Sequence, residues 1–296
     1  MGRALPVEVL GVWLLFAVVA IEILITYSRL PARELYNVSG GGVGGGASRV
    51  LVFLNFPTAL AAIPVLMLLA ESFGRRCARF AVTVAVALCV AVVVFGVVTQ
   101  ANLDAKPINA VAAVGVAAAL ALTLALAIHS GLQRTGRRRG DSLRIALAAL
   151  LLALAVPWLA ADLGLWFNGV PVLGTLYQTG ELRHQPGVSG LHPAVHHGHH
   201  HGLDGVLLIL TALLLSRLVP DVRRPALRRG IGAYLSLLAA YGAGNIANDF
   251  WTEQVVKRGW TDWQIPDVLV PTASVAWGII LLTAAVIYAC TARHFT

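Results

Sequence analysis

Histidines concentrated in one short segment are the residues of this 296-residue chain best suited to chemistry. Seven of its 9 histidines lie between Trp166 and Asp204, and six of them fall within the ten residues His192–His201. Imidazole nitrogen is a good ligand for zinc, copper, iron and nickel. The segment therefore predicts affinity for a divalent transition metal, with zinc, iron and copper as the candidates.

The spacing of these histidines indicates a built site if the segment is helical. Pro193 suits the first turn of a helix because its φ angle is preset and it has no N–H to satisfy. In such a helix one stripe carries His192, His196, His200 and Asp204, and a second pair is His197 and His201. Asp204 is then either a ligand or an acceptor that orients an imidazole. The predicted metal-binding residues are His184, His192, His196, His197, His199, His200, His201 and Asp204.

The segment His192–His201 resembles one histidine box of the membrane fatty-acid desaturases and hydroxylases. That family uses several separated boxes with cytoplasmic ligands, whereas this chain has one box on the opposite predicted side. The resemblance is confined to this one box. Two other interpretations stay open: a solvated histidine-rich loop with adventitious metal affinity, and a pH-responsive cluster, since imidazole titrates near neutrality.

The amino-acid composition indicates what kind of fold must position these histidines. The chain is 58% hydrophobic and 12% charged, with a mean hydropathy of +0.78, whereas soluble domains average about 25% charged residues. Too few polar side chains are present to cover a water-soluble globule, which excludes an ordinary soluble enzyme, a disordered chain and a nucleic-acid-binding domain despite the net charge of +8. We expect an all-α polytopic membrane helical bundle, with residues 1–296 forming a single integral membrane domain.

About eight apolar stretches are long enough to cross a bilayer. They are Val7–Tyr27, Val50–Leu69, Phe80–Thr99, Ala110–His129, Ile145–Leu163, Gly205–Val219, Ile231–Asn248 and Ala273–Cys290. Arginines crowd the loops after the second, fourth and sixth spans, and positively charged short loops face the cytoplasm. Both termini are therefore predicted to be cytoplasmic, and the histidine-rich loop, residues 164–204, to be extracytoplasmic in the cell membrane. Binding of anionic lipid or nucleic acid is the alternative use of these arginines, but their alternation between loops favours a topological signal.

Polar residues inside the spans predict a cavity beneath the histidine loop. Ionisable groups in a bilayer are costly and point to function, although scattered interhelical hydrogen bonding explains any single one. Glu22, Asp162 and Asp249 lie toward the outer ends of their spans and are the predicted additional ligands or general base, with Asn55, Gln100, Asn245 and Asn248 at the same level. The run Gly40–Gly46 in the first outer loop is expected to be a flexible linker, or else a segment that hugs a surface.

These observations predict an outward-facing metal site. We expect a metal-dependent membrane enzyme that acts on a lipid or a membrane-associated substrate. One alternative is a metal-handling permease, chaperone or sensor. Another is a subunit or assembly factor that docks a membrane-protein partner. The expected partners are the lipid bilayer, a metal ion and such a protein, with no nucleic acid.

Overall fold

The described part of the chain is 79% helical in its computed structural model and has almost no strands. The structure describes residues 4–29, 39–73, 76–93, 104–165, 169–172, 182–184, 191–193, 200–266, 268–269 and 271–292. In chain order the α-helices are α1 Val7–Arg29, α2 Gly42–Arg49, α3 Asn55–Ser72, α4 Arg76–Val90, α5 Pro107–Ser130, α6 Asp141–Asp162, α7 His200–Ser216, α8 Pro225–Trp251 and α9 Val275–Ala292. Two π-helical turns, Val50–Leu54 and Thr252–Val256, join α2 to α3 and extend α8.

The described residues contain two pairs of short strands. One pair lies beside the start of α1 and the end of α5, and the other lies in the long histidine-rich loop. β1 (Leu5–Pro6) pairs in parallel with β2 (Leu132–Gln133), and β3 (Leu182–His184) pairs antiparallel with β4 (Leu191–Pro193). Pro193 therefore ends a strand, and the prediction that it opens a helix continuous with span six is wrong. His192 pairs with Arg183 across the two strands. Its predicted helical register with His200 and Asp204 accordingly does not exist.

Six helices in the described residues are long and apolar enough to cross a membrane. They are Val7–Arg29, Gly42–Ser72, Arg76–Val93, Pro107–Ser130, Asp141–Ala160 and Val275–Ala292. The remaining two predicted spans coincide with α7, which is 17 residues long, and α8, which is 27 residues long and begins among arginines. These helices are compatible with a membrane protein. Pro107 and Pro225 are the first residues of α5 and α8, which is the helix position that proline favours.

The residues Gly42–Gly46 of the glycine run belong to a helix, so the linker prediction is wrong for them and the alternative, a segment that packs closely on a surface, fits better. α2 begins at Gly42 and continues through the π turn into α3, which makes one helix of 31 residues, Gly42–Ser72. The reason is close packing on α1: a Cβ at Gly46 would lie 2.8 Å from the Leu24 carbonyl oxygen. Glycine lets the two backbones approach, as in membrane helix pairs with small interfacial residues.

Glycines also allow α7 and α8 to pack backbone to backbone. A Cβ at Gly242 would lie 2.6 Å from the Gly205 carbonyl oxygen and 2.9 Å from Ile209 Cγ1. In the same way a Cβ at Gly115 of α5 would lie 2.9 Å from Cys89 Sγ of α4. The buried Cys89 is thus part of helix packing, as expected for a lone cysteine in a core.

A network of ion pairs ties three helices together at one end of the bundle, which we call the arginine end. Arg217, just after α7, donates to Glu8 of α1 at 2.6 Å and to Asp141 of α6 at 3.1 Å. Arg144 also donates to Asp141 at 3.1 Å. The opposite end, where α1, α6 and α8 end and α7 begins at His200, is here called the histidine end.

Candidate functional site

Four carboxylates and one guanidinium from five elements come together at the histidine end. We call them the carboxylate cluster, and its members are Glu22, Arg49, Asp162, Asp204 and Asp249. Glu22, Arg49, Asp204 and Asp249 are all at most 5% exposed. Three of these residues, Glu22, Asp162 and Asp249, are among the polar residues that the sequence analysis expects at one level beneath the histidine loop.

Thr26 connects two members of the cluster, Glu22 and Asp162. Its hydroxyl donates to Glu22 Oε1 at 2.8 Å and lies 3.3 Å from the Asp162 carbonyl oxygen. The C-terminal turn of α1 is thereby joined to that of α6. Glu22 Oε2 is buried and has no hydrogen-bond partner in the described part of the chain.

Arg49 lies at the centre of the cluster and was missed by the sequence analysis. Its guanidinium carbon lies 5.0 Å from the centre of the Tyr27 ring and 4.2 Å from that of Phe53, which are favourable cation–π distances. It interacts electrostatically with Tyr27, as do Glu22 and Asp162, and also with Asp204. Arg49 therefore lies near both Tyr27 and Asp204, while its Nε and Nη1 are buried without a hydrogen-bond partner in the described part of the chain.

Asp204 and Asp249 bring α7 and α8 into the cluster. Asp249 also acts electrostatically on Asp204. Gly202 makes the approach possible, because a Cβ there would lie 2.6 Å from Asp249 Oδ2 and 2.8 Å from the Trp158 ring of α6. Asp204 Oδ1 is buried without a hydrogen-bond partner among the described residues. A buried carboxylate oxygen in this state is costly unless a ligand satisfies it.

A polar stripe on α8 continues beyond the cluster. Tyr241, Asn245, Asp249 and Glu253 recur every four residues and are all buried. The sequence analysis ended the span at Asn248 and so missed Glu253, which forms an ion pair with Lys257 at 2.5 Å within the π-helical turn. The four-residue spacing was the signal that could have identified it. Both π-helical turns adjoin the cluster, one after Arg49 and the other after Trp251.

The predicted histidine ligands in the described part of the chain are divided among three elements. His200 and His201 open α7, so they precede Asp204 on the same helix, while His184 and His192 lie in β3 and β4. His196, His197 and His199 lie outside the described residues. Within the described ranges no three His, Cys, Asp or Glu groups are placed to hold a metal ion.

The asparagines expected at the same level have structural roles instead. The Asn55 side chain donates to the Asn109 carbonyl at 2.9 Å, and Asn245 donates to the Tyr241 carbonyl at 3.1 Å. Asn248 donates to the Ile265 carbonyl at 2.8 Å and so ties the end of α8 to the following loop. Gln100 lies outside the described residues.

Asp204 is the member of the cluster whose environment bears on ligand binding. A buried carboxylate is stable only when it is paired, protonated or bound to a metal. A cation held beside Asp204 would supply the partner that its Oδ1 lacks. No known protein family, curated protein or solved structure matches this chain.

Proposed function

We propose that this protein is a membrane metalloenzyme that binds a divalent transition metal at the histidine end and acts on a lipid or a membrane-associated substrate. The ligands are Asp204 and imidazoles of the segment His192–His201. Glu22, Asp162 and Asp249 supply a further ligand and the general base. The histidine end faces the extracytoplasmic side in this proposal.

One observation supports the proposal most strongly: Asp204 is 5% exposed and its Oδ1 has no hydrogen-bond partner among the described residues. It lies one helical turn after His200, and residues four apart share a helix face. A mixed set of imidazole and carboxylate ligands suits zinc and iron. Since the described carboxylates do not form a metal site alone, the proposal requires imidazoles from the histidine segment.

The surroundings of the cluster suit catalysis. A divalent metal in such a site activates water for hydrolysis, or binds dioxygen for oxidation. Glu22 and Asp249 are buried carboxylates within the same cluster and are suited to accept a proton from a bound substrate or water. The two π-helical turns beside the cluster fit this assignment, since π-helical turns are frequent at functional sites.

Metal acquisition without chemistry is the second candidate. The histidine-rich segment favours metal binding of this kind. The positions of the described carboxylates do not favour transport of a metal across the bilayer. Glu8 and Asp141 lie at the arginine end, whereas Glu22, Asp204 and Asp249 lie at the histidine end. Among the described residues between these ends, the buried polar side chains are neutral ones such as Thr123, Thr211 and Ser236. A chaperone or sensor is therefore the form of metal handling that fits best.

The first test is the metal content of the full-length protein purified in detergent. We expect the wild type to retain metal through washing and Asp204→Asn to bind it at least about tenfold more weakly. His129→Ala is the matched control, because His129 is exposed and contacts only the Ala125 carbonyl at 2.8 Å in the described structure. A wild-type protein that is purified without metal and fails to rebind it would overturn the proposal.

The second test separates the enzyme from the metal handler. The membrane lipids and the metal tolerance of a deletion strain are compared with those of the same strain carrying the wild-type or the Asp204→Asn protein. A lipid change that only the wild type reverses, without a change in metal tolerance, supports the enzyme. A metal phenotype without a lipid change supports handling and contradicts the enzyme.

A further inference from the structure

A pocket lined by five arginines lies at the arginine end, far from the carboxylate cluster in the fold. Its volume is about 440 Å³, and the arginines are Arg137, Arg138, Arg139, Arg144 and Arg217. It lies between the segment that follows β2 and the C-terminal end of α7, where Ser216 contributes to the wall. No carboxylate lines it, so its lining is strongly positive.

Carboxylates behind the lining hold three of the guanidiniums in place. Glu8 and Asp141 accept from Arg217 at 2.6 and 3.1 Å, and Arg144 donates to Ser216 at 3.0 Å. Arg138 pairs with Asp221 at 2.5 Å. The side chains of Arg138, Arg144 and Arg217 nevertheless remain 30%, 23% and 21% exposed, so they are held in fixed positions but can be reached from solvent.

The remaining two arginines give the pocket its excess charge. Arg137 donates only to the Ser142 hydroxyl, at 3.4 Å, and Arg139 has no carboxylate at ion-pair distance in the described structure. Three carboxylates thus oppose five guanidiniums. Guanidinium groups bind phosphate through two parallel hydrogen bonds and remain charged at any physiological pH. The pocket accordingly has the charge and donors that a phosphate group requires.

The apolar surface beside the pocket indicates where the phosphate comes from. α6 begins at Asp141 and is apolar enough to cross a membrane. Leu143 and Ile145, in its first turns, are 64% and 68% exposed, and Leu132 of β2 is 53% exposed. Acyl chains lying against these side chains would place a lipid headgroup at the level of the arginines, and basic pockets beside membrane helices are suited to anionic headgroups.

We infer that this arginine pocket binds the phosphate of an anionic phospholipid headgroup. Arg144 and Arg217 form its fixed inner wall. Arg137 and Arg139 supply the charge that the fold does not neutralise. This site is independent of the proposed metal chemistry, because none of its residues belongs to the carboxylate cluster.

The test is lipid retention by the full-length protein in detergent, measured by native mass spectrometry with added phosphatidylglycerol or phosphatidylcholine. The variant is Arg137→Gln/Arg139→Gln, which leaves the ion pairs of Arg138, Arg144 and Arg217 intact. The matched control is Arg223→Gln/Arg229→Gln, which removes two exposed arginines outside the pocket. We expect the wild type and the control to retain phosphatidylglycerol over phosphatidylcholine, and the pocket variant to bind it about tenfold more weakly.

Three results would overturn the inference. These are equal retention of the two lipids, an unchanged preference in the pocket variant, and the same loss in the control variant, which would indicate general surface charge. A parallel titration with inorganic pyrophosphate distinguishes the source of the phosphate. Stabilisation of the wild type by pyrophosphate, lost in the pocket variant and not matched by phosphatidylglycerol, would overturn the lipid and support a soluble phosphate compound.

Discussion

At the scale of residues, Arg49 is the member of the carboxylate cluster that carries a positive charge. It is 5% exposed and interacts with Asp204, while its ring contacts with Tyr27 and Phe53 hold the guanidinium over the aromatic faces. Removing one member of a buried charged group leaves the others uncompensated, which is more costly than removing the whole group. The charge of Arg49 is therefore expected to matter more than its shape.

We predict that Arg49→Gln lowers the free energy of unfolding by about 1–3 kcal/mol, because it removes the buried positive charge that acts on Asp204 and the cation–π contacts with Tyr27 and Phe53. Arg49→Lys keeps the charge and should cost clearly less. In the double variant Arg49→Gln/Asp204→Asn the loss should be smaller than the sum of the single losses. Thermal unfolding of the detergent-solubilised protein measures the losses in Arg49→Gln, Arg49→Lys, Asp204→Asn and the double variant. Additive losses would show that Arg49 and Asp204 do not compensate each other.

The chemical residues could be predicted from the sequence in part. Glu22, Asp162 and Asp249 were recognisable because an ionisable side chain within an apolar stretch is conspicuous, and the structure places all three in one cluster. Arg49 was not recognisable, because an arginine that follows a glycine run looks like the end of a loop. Its burial depends on how α2 packs against α1, which is a tertiary property.

At the scale of elements, close backbone contact between α7 and α8 positions Asp204 beside Asp249. Gly205 and Gly242 form this contact, and each lies within two turns of one of the two carboxylates. Inside a bilayer the hydrophobic effect does not drive helices together. Membrane helices associate instead through close packing of this kind. The geometry of the cluster therefore depends on glycines that do no chemistry.

Gly242→Ala should destabilise the protein by about 1–3 kcal/mol through overpacking, since its Cβ would meet the Gly205 carbonyl oxygen at 2.6 Å. Gly278→Ala in α9 is the matched control: a Cβ there meets nothing within 4 Å. We expect Gly278→Ala to leave the melting temperature unchanged or slightly raised, since alanine favours a helix. Equal melting temperatures for the two variants would contradict the packing account.

The helices could be predicted from apolar runs in the sequence. The residues at which they end, and the helical conformation of the glycine run from Gly42 onward, could not. The runs account for α1, α5 and α9 because a bilayer-length stretch of apolar residues is a strong signal. The helix at Gly42 and the extension of α8 to Trp251 required tertiary contacts that compensate for weak local propensity. The prediction for Pro193 was wrong for a different reason: proline suits a strand end as well as a helix start.

At the scale of the whole molecule, charged groups are segregated to the two ends of the bundle. Arg217, Asp141 and Glu8 form an ion-pair network at one end, and the carboxylate cluster lies at the other. The distribution of arginines predicts that the arginine end faces the cytoplasm. The proposed metal site then takes its metal from outside the cell, while the arginine pocket contacts the inner leaflet.

Labelling with a membrane-impermeant maleimide tests this orientation. In a Cys290→Ser background the exposed Cys77 should be protected in intact cells and labelled after permeabilisation, while the buried Cys89 stays unreactive. In Cys77→Ser/Cys290→Ser/Asp262→Cys the introduced thiol, at an exposed position after α8, should be labelled without permeabilisation. The reverse pattern would place the histidine end in the cytoplasm.

The central claim, that imidazoles and Asp204 bind one metal together, is tested most directly by X-ray absorption at the zinc edge of the zinc-loaded full-length protein. The account predicts imidazole scattering together with oxygen ligands in the wild type, and an unchanged spectrum in His129→Ala. In Asp204→Asn we expect a first shell altered by the loss of the carboxylate oxygen, at a zinc occupancy restored by excess metal. A wild-type spectrum without imidazole scattering, or an Asp204→Asn spectrum identical to the wild type, would contradict it.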